Sequence, residues 1–455
     1  MNQETYPLHA STTHIFANFV DDNYPVLLET QNNENQLGRY SIIASNPFLI
    51  IRSKGDMVEI CQHGNWIQKK TSPLDELKHL LAKYHINLGY NLPFVGGALG
   101  YFSYEFHTQI ESIQMQQEDS PCIYDMHFAF YNEAVVIDQD QQELHLIGQN
   151  FVANSHEQFT QLKTKTFAHP NKDDLFYDQK VHIKNDLTKE QYLQNISKIK
   201  DQIQQGNVYQ INFTQRFHCA LNKSPWTLYK RLAHKNPSPM AAYFDFSEFQ
   251  ILSSSPERFL KITGDRITTK PIKGTIARGV DPQKDKMAKE CLHQSQKDQA
   301  ELLMIVDLER NDIGRICTTG SVQVRDLFHI ETYATLFQQI ANVEGKLQPH
   351  ISIKEIINST FPGGSITGAP KISAMQLIGK LESRSRNIYT GSLGYISFNS
   401  NMDFNIAIRT ILCKDNMAYY QVGGGITWDS DPESEYEESL LKGKALKEAL
   451  MWRKA

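Results

Sequence analysis

The chain has 455 residues, 40% of them hydrophobic and 21% charged, with a formal net charge of −5. That balance is ordinary for a globular protein, excludes a disordered polyelectrolyte, and gives no general attraction to nucleic acid or an anionic membrane. Any anion site must therefore be local, built from a few placed cations.

The N-terminus, MNQETYPLHASTTHIF, has no basic start followed by an apolar run, so no secretory signal is expected. The longest apolar stretch, LPFVGGALGYF (92–102), is broken by glycines and falls short of a membrane span. The six cysteines are scattered without zinc or CxxC spacing and read as free thiols of a reducing compartment. A cytoplasmic protein is expected.

Short alternating runs (SIIAS, FLIIRS, MVEICQ, FAFYNEAVVID, ELHLIG) predict strands in the first third, interrupted by a helix near 73–85. Residues 151–185 turn polar and predict an exposed helix plus connection, the best seam between regions 1–165 and 186–455. Thr188 with Gln191 and Gly206 predicts a capped helix over 187–206. Strands are then expected at VYQINFTQRFHCAL, MAAYFDF, FQILSSS, FLKITGDRITT, GYISF, NIAIRTILC and MAYYQVGGGITW. Helices are expected at 285–309, 352–360, 370–381 and 433–451. Strands come in groups rather than alternating with helices, which favours an α+β fold with antiparallel sheets.

Several stretches carry chemistry. Glu257 lies sixteen residues before Lys273, which falls in a Pro-Ile-Lys-Gly-Thr turn, and a hairpin tipped by Gly-Asp-Arg would bring them together. An exposed salt bridge is the commoner use of such a pair. A lysine becomes a nucleophile when desolvation or nearby cations leave its amine neutral, and Gly274 would let a ligand approach the backbone. Glu301 shares a helical face with Ile305 and Leu308, which is costly unless it is paired, binds a cation or reaches solvent. Asp307, Glu309, Arg310 and Asp312 read as a salt-bridged helix end. Glu435, Glu438 and Lys442 share one helix face; acidic residues there ordinarily complement the helix dipole. With Glu301 they would also offer an all-oxygen site for Mg²⁺, and the absence of a His/Cys cluster argues against zinc. FPGGSITGAPK (361–371) fails the Walker pattern but suits an anion at a helix start. VGGGIT (422–427) can present bare amides to a carboxylate. Arg409 interrupts an otherwise apolar strand, as a structural ion pair or a ligand.

Taken in order, NVYQINFTQRF, SSSPERFL, KPIKGT, AELLMIVDLERNDIGR, FPGGSITGAPK, YTGSLGYISF, IAIRTI, GGGIT and DPESEYEES resemble the chorismate-utilising enzymes of the anthranilate synthase component I family. The resemblance spans essentially the whole chain. It implies two large antiparallel sheets packed as a sandwich with helices outside. Anthranilate-forming members have alanine where this chain has Lys273, so the lysine implies the aminodeoxychorismate-forming branch, with Lys273 as nucleophile and Glu257 as general acid or base. It implies Mg²⁺ on Glu301 and Glu438, with Asp298 and Glu435 beside them, and chorismate contacts from Gly274, Thr275, Thr367, Tyr389, Arg409, Gly423, Gly425 and Lys442. Gln338 replaces a histidine of many relatives near the leaving group. Thr30 and Met240 replace the serine and tyrosine of the tryptophan-inhibited relatives' effector pocket, so strong tryptophan feedback is not expected. No Gly-x-Cys-x-Gly turn is present, so ammonia would come from a separate glutamine amidotransferase subunit.

Overall fold

Runs of β-branched and aromatic residues bounded by Gly, Asn and Asp turns build two antiparallel sheets, each of twelve strands among the described residues. The computed structural model describes residues 2–31, 38–87, 92–113, 117–169, 181–221, 223–332 and 336–451. Both sheets draw on the two ends of the chain. In the first, Val26–Glu29 pairs with Met240–Asp245; in the second, Gly97–Phe102 pairs with Ser392–Ser397. Regions 1–165 and 186–455 thus share both sheets. The polar stretch between them opens with the helix Ser155–Thr166, and 170–180 lies outside the described residues.

The sheets pack face to face over Val26, Ile42, Val136, Phe244 and Ile251 from one and Leu99, Tyr101, Ala129 and Leu393 from the other. Each fully buried side chain of this kind contributes about 1.5–3 kcal/mol. Helices cover the outer faces. Thr12–Phe16, Ser155–Thr166, Pro225–Lys235 and Lys444–Leu450 lie on the first sheet. Pro73–Lys83, Gln296–Gly314 and Ile353–Thr360 lie on the second, while Lys371–Leu381 packs against Gln210–Ala220 of the first. The expected capping box forms: Thr188 and Gln191 satisfy each other's backbone amides at the start of Lys189–Gln204.

The structure differs from the sequence reading at several places. The helix expected over 285–309 is two, Pro282–Gln294 and Gln296–Gly314, because Ser295 takes an extended backbone and caps the second through the Asp298 amide. The segment around Lys273 is a strand, Ile272–Ala277, not a turn. NIAIRTILC is not one strand: Met402–Asn405 lies in one sheet and Thr410–Lys414 in the other, with 406–409 stepping between them. The helix Pro225–Lys235, started by Ser224 and Pro225, was not anticipated.

Among the described residues no helix is long and apolar enough to cross a membrane.

Candidate active site

Two steps between the sheets create the site. Phe249–Ser255 belongs to one sheet and Arg258–Thr263 to the other, so Glu257 stands at a crossing point. The return step at 406–409 lies alongside, its Ile406 amide donating to the Glu257 carbonyl at 3.0 Å. Ser255 Oγ ties the two together by donating to the Ile406 carbonyl at 2.6 Å. Arg409 leaves this step with positive φ, and its charge reaches the Glu257 carboxyl. Its Nη1 also donates to Asn236 Oδ1 at 3.4 Å.

The hairpin Arg258–Lys270 then forms as the sequence predicted. Thr263 faces Arg266 in register, and Gly264 supplies the positive φ of the two-residue loop. Beyond it, Ile272–Ala277 pairs with Leu336–Lys346, and the register slips at Gly274: Lys273 opposes Gln339, while Thr275 opposes Gln338. Gly274 is the extra residue of a β-bulge, with φ +70°. A Cβ there would meet the Asp298 side chain at 2.8 Å and Leu292 at 2.9 Å.

The Lys273 amine donates to the Ser365 carbonyl at 2.9 Å. Burial pushes its pKa down; the carboxyls of Glu301, Glu257 and Glu309 oppose this to the extent that they are ionised, and the Lys442 ammonium reinforces it. Burial pushes the Glu257 carboxyl up, opposed by the Lys273 charge, the Ser365 side chain and Arg409. Glu257 is buried and its Oε1 has no partner. A buried acid with raised pKa beside a half-buried amine with lowered pKa is the pairing that general acid and nucleophile roles require.

The Ser365 carbonyl comes from the Gly-rich loop between Ile353–Thr360 and Lys371–Leu381. Nearby, the Ile366 carbonyl accepts from Asn212 and Arg386. The loop thus offers the Ser365 carbonyl to Lys273 and the Ile366 carbonyl to Asn212 and Arg386. Arg386 was missed by sequence reasoning. Fully buried, it is held by both oxygens of Glu382 at 2.8–2.9 Å and clamps the loop to Asn212. Its only advance signal is the i,i+4 spacing from Glu382. Thr367 is fully buried, with its hydroxyl donating to the Gly363 carbonyl, and Tyr389 is buried near Glu257.

The four acidic residues expected at a metal converge on one cation. The charges of Glu435, Glu301, Glu438 and Asp298 together overcome the burial that would lower the Lys297 pKa, and hold it raised. Lys297 Nζ is 3.6 Å from Glu435 Oε1. Burial raises Glu301, against Lys273 and Lys297. Burial opposes ionisation of Glu438 too, but Lys442, Lys297 and Lys273 outweigh it and its pKa is lowered. Lys442 is 2.8 Å from Glu438. As they stand, no three His, Cys, Asp or Glu side chains among the described residues are close enough to hold a metal ion. The donor set is nevertheless all oxygen, which suits a hard cation.

Of the three glycines in Met417–Ile426, the one facing Glu435 and Lys442 is Gly424: a Cβ there would lie 3.3 Å from Glu435 Oε2 and 3.5 Å from Lys442 Nζ. Gly425, which the sequence favoured, is covered by Gln210, whose Nε2 is 3.5 Å from Glu301. Gly423 lies against the Phe213 backbone, and Thr275 is exposed. The salt-bridged helix end forms in part: Arg310 pairs with Asp307 at 3.2 Å, while Glu309 and Asp312 are buried. Glu309 accepts from Thr269 at 2.9 Å, and Asp312 pairs with Lys371 at 2.5 Å. Thr30 and Met240 line a separate cavity of about 60 Å³ with Glu29, Arg39 and Arg258.

The family model for chorismate binding enzymes matches residues 24–448, and the chain belongs to that family. Relatives carry two names at similar identity. Anthranilate synthase component 1 of Acetivibrio thermocellus is 33% identical over 99% of this chain and 94% of its own. Aminodeoxychorismate synthase component 1 of Escherichia coli is 34% identical over 92% of this chain and 91% of its own. The structure of anthranilate synthase component I from Streptococcus pneumoniae superposes with a TM-score of 0.81 at 32% identity, covering 90% of this chain and 92% of the other. The menaquinone-specific isochorismate synthase of Escherichia coli, at 16% identity and a TM-score of 0.74, shares the fold.

Proposed function

We propose that the protein converts chorismate and ammonia to 4-amino-4-deoxychorismate, with Lys273 as a covalent nucleophile. The observation that carries this reading is the half-buried Lys273 amine, donating to the Ser365 carbonyl and with its pKa lowered, in the field of Glu257 and Glu301. A neutral amine in that place can attack the substrate ring; an alanine there would have no such chemistry.

In the proposed sequence the Lys273 nitrogen bonds to ring carbon C2 as the C4–oxygen bond breaks. Glu257 gives its proton to the departing hydroxyl, which leaves as water. Ammonia then bonds to C4 and the C2–nitrogen bond to Lys273 breaks, restoring the double-bond pattern and the free lysine. The enolpyruvyl group stays on the ring. Arg409, Lys442 and the strand around Gly424 supply positive potential and backbone donors for the substrate's two carboxylates. Glu301 and Glu438, with Glu435 and Asp298 beside them, are the residues that would hold Mg²⁺. The ion would add positive charge next to a carboxylate of the substrate. The ammonia is assigned to a separate glutamine amidotransferase subunit, or to ammonium in vitro.

Anthranilate formation is the second reading, because relatives of both names match this chain about equally. Product analysis separates the two. With Mg²⁺, chorismate and ammonium, the protein is expected to yield para-aminobenzoate only when aminodeoxychorismate lyase is added. Fluorescent anthranilate formed without lyase would overturn the reading.

A further inference from the structure

Gln339, in the middle of Leu336–Lys346, is completely buried, and neither its Nε2 nor its Oε1 has a hydrogen-bond partner. A glutamine amide offers two donor hydrogens and two acceptor sites, and buried polar groups in folded proteins are nearly always paired. An apolar residue of similar size would serve the fold better at this position. Gln339 also stands directly opposite Lys273 in the ladder. Opposed residues of an antiparallel pair project to the same face with Cβ atoms about 5 Å apart. The Lys273 amine nevertheless donates to the Ser365 carbonyl and not to this amide. Gln338, the neighbour singled out from sequence, projects to the other face, where it opposes Thr275 and Glu331. Further bare buried atoms belong to the same site: Glu257 Oε1, Ser365 Oγ and Gln210 Oε1.

We propose that Gln339 is a substrate-contacting residue of the Lys273 pocket, its side-chain amide completing its hydrogen bonds only on the cyclohexadiene dicarboxylate bound there. Nε2 donates to a carboxylate, ether or hydroxyl oxygen of the ring, and Oε1 accepts from the ring hydroxyl. The amide is neutral, so it orients the substrate without competing with Glu257 or Lys273 for the proton. This inference rests on the reading of the pocket as the chorismate site.

The test uses the whole protein with Mg²⁺ and chorismate but no ammonia. Gln339→Leu and Gln339→Met are compared with wild type by thermal melting without ligand and by calorimetric titration with chorismate. Both variants are expected to melt at or above the wild-type temperature. Both should bind chorismate about 10-fold or more weakly, because the substrate's polar groups lose their partner. Wild-type affinity in either variant would overturn the proposal. So would failure of the variants to fold, since that would make the amide a structural group. Neither readout depends on which product the enzyme forms. If wild type itself binds no chorismate, the assignment of the pocket falls. If wild type binds and the variants bind equally, the role of Gln339 alone falls.

Discussion

The backbone amide of Ile406 donates to the carbonyl of Glu257 at 3.0 Å, so the two places where the chain steps from one sheet to the other lie side by side. That single bond brings the acid at 257 within the field of the guanidinium at 409, although 152 positions separate them in the chain. Everything chemical in the account hangs on this junction and on the strand that carries Lys273 past it.

The acid and the amine act in opposite protonation states, which fixes the pH dependence. Lys273 must be neutral, so activity is lost as pH falls through the amine's lowered pKa. Glu257 must be protonated, so activity is lost as pH rises through the carboxyl's raised pKa. The kcat profile is therefore expected to be bell-shaped, with limbs that belong to the pair. Glu257→Gln is expected to cut kcat by roughly 10²–10⁴ and to remove the alkaline limb while leaving the acidic one. Retention of both limbs would place the acid elsewhere.

Gly274 is required by its backbone. With φ +70° and Asp298 where a Cβ would point, Gly274→Ala cannot be accommodated without moving the bulge that aims Lys273. A loss of about 1–3 kcal/mol in unfolding free energy is expected, together with a fall in kcat larger than the change in chorismate affinity. Denaturant melts and steady-state kinetics on the same preparation measure both.

Glu309 makes a prediction read from stability rather than turnover. Burial pushes its carboxyl up to about 8 against an ordinary 4.5, with the Thr269 hydrogen bond opposing. The folded state thus holds a proton that the unfolded state releases, and stability falls as pH rises between those values. Glu309→Gln is expected to be as stable as wild type near pH 5 and more stable near pH 8, by up to about 4 kcal/mol. A gap that does not grow with pH would refute the buried, protonated carboxyl.

Removal of divalent metal by chelation is expected to abolish turnover, with Mg²⁺ restoring it. Glu301→Gln and Glu438→Gln should each raise the Mg²⁺ concentration needed for half-maximal rate by more than Asp298→Asn does. Equal effects from all three would mean the four carboxylates serve only to neutralise Lys297.

Much of this was legible in the sequence, for reasons that differ between residues. The Arg258–Lys270 hairpin is written locally, as alternating residues around Gly264, and so is the capping box at Thr188 and Gln191. Lys273 and Glu257 read locally as an ordinary salt bridge and Glu301 as a carboxylate on an apolar stripe; the family resemblance is what singled them out. The rest depends on contacts between distant segments. A step from one sheet to another leaves no mark in Ile-Ala-Ile-Arg-Thr-Ile-Leu, which is apolar apart from Arg409 and Thr410, so Arg409 was assigned to a strand. Which of three consecutive glycines faces the acidic helix is set by the pairing of Met417–Ile426 with Gln210–Ala220, and Gly424 could not be preferred in advance. The bulge at Gly274 decides that Gln339, rather than Gln338, shares a face with Lys273. The convergence of four carboxylates on Lys297 arises only when two helices pack.

The central claim is that the Lys273 amine bonds covalently to the substrate ring, and intact-protein mass spectrometry tests it most directly. Wild type incubated with chorismate and Mg²⁺ in the absence of ammonia is expected to gain the mass of chorismate less one water, mapped by peptide digestion to Lys273. The adduct should disappear on adding ammonium and never form in Lys273→Ala. An unmodified wild-type protein that still turns over chorismate, or a Lys273→Ala variant with near-native rates, would contradict the account.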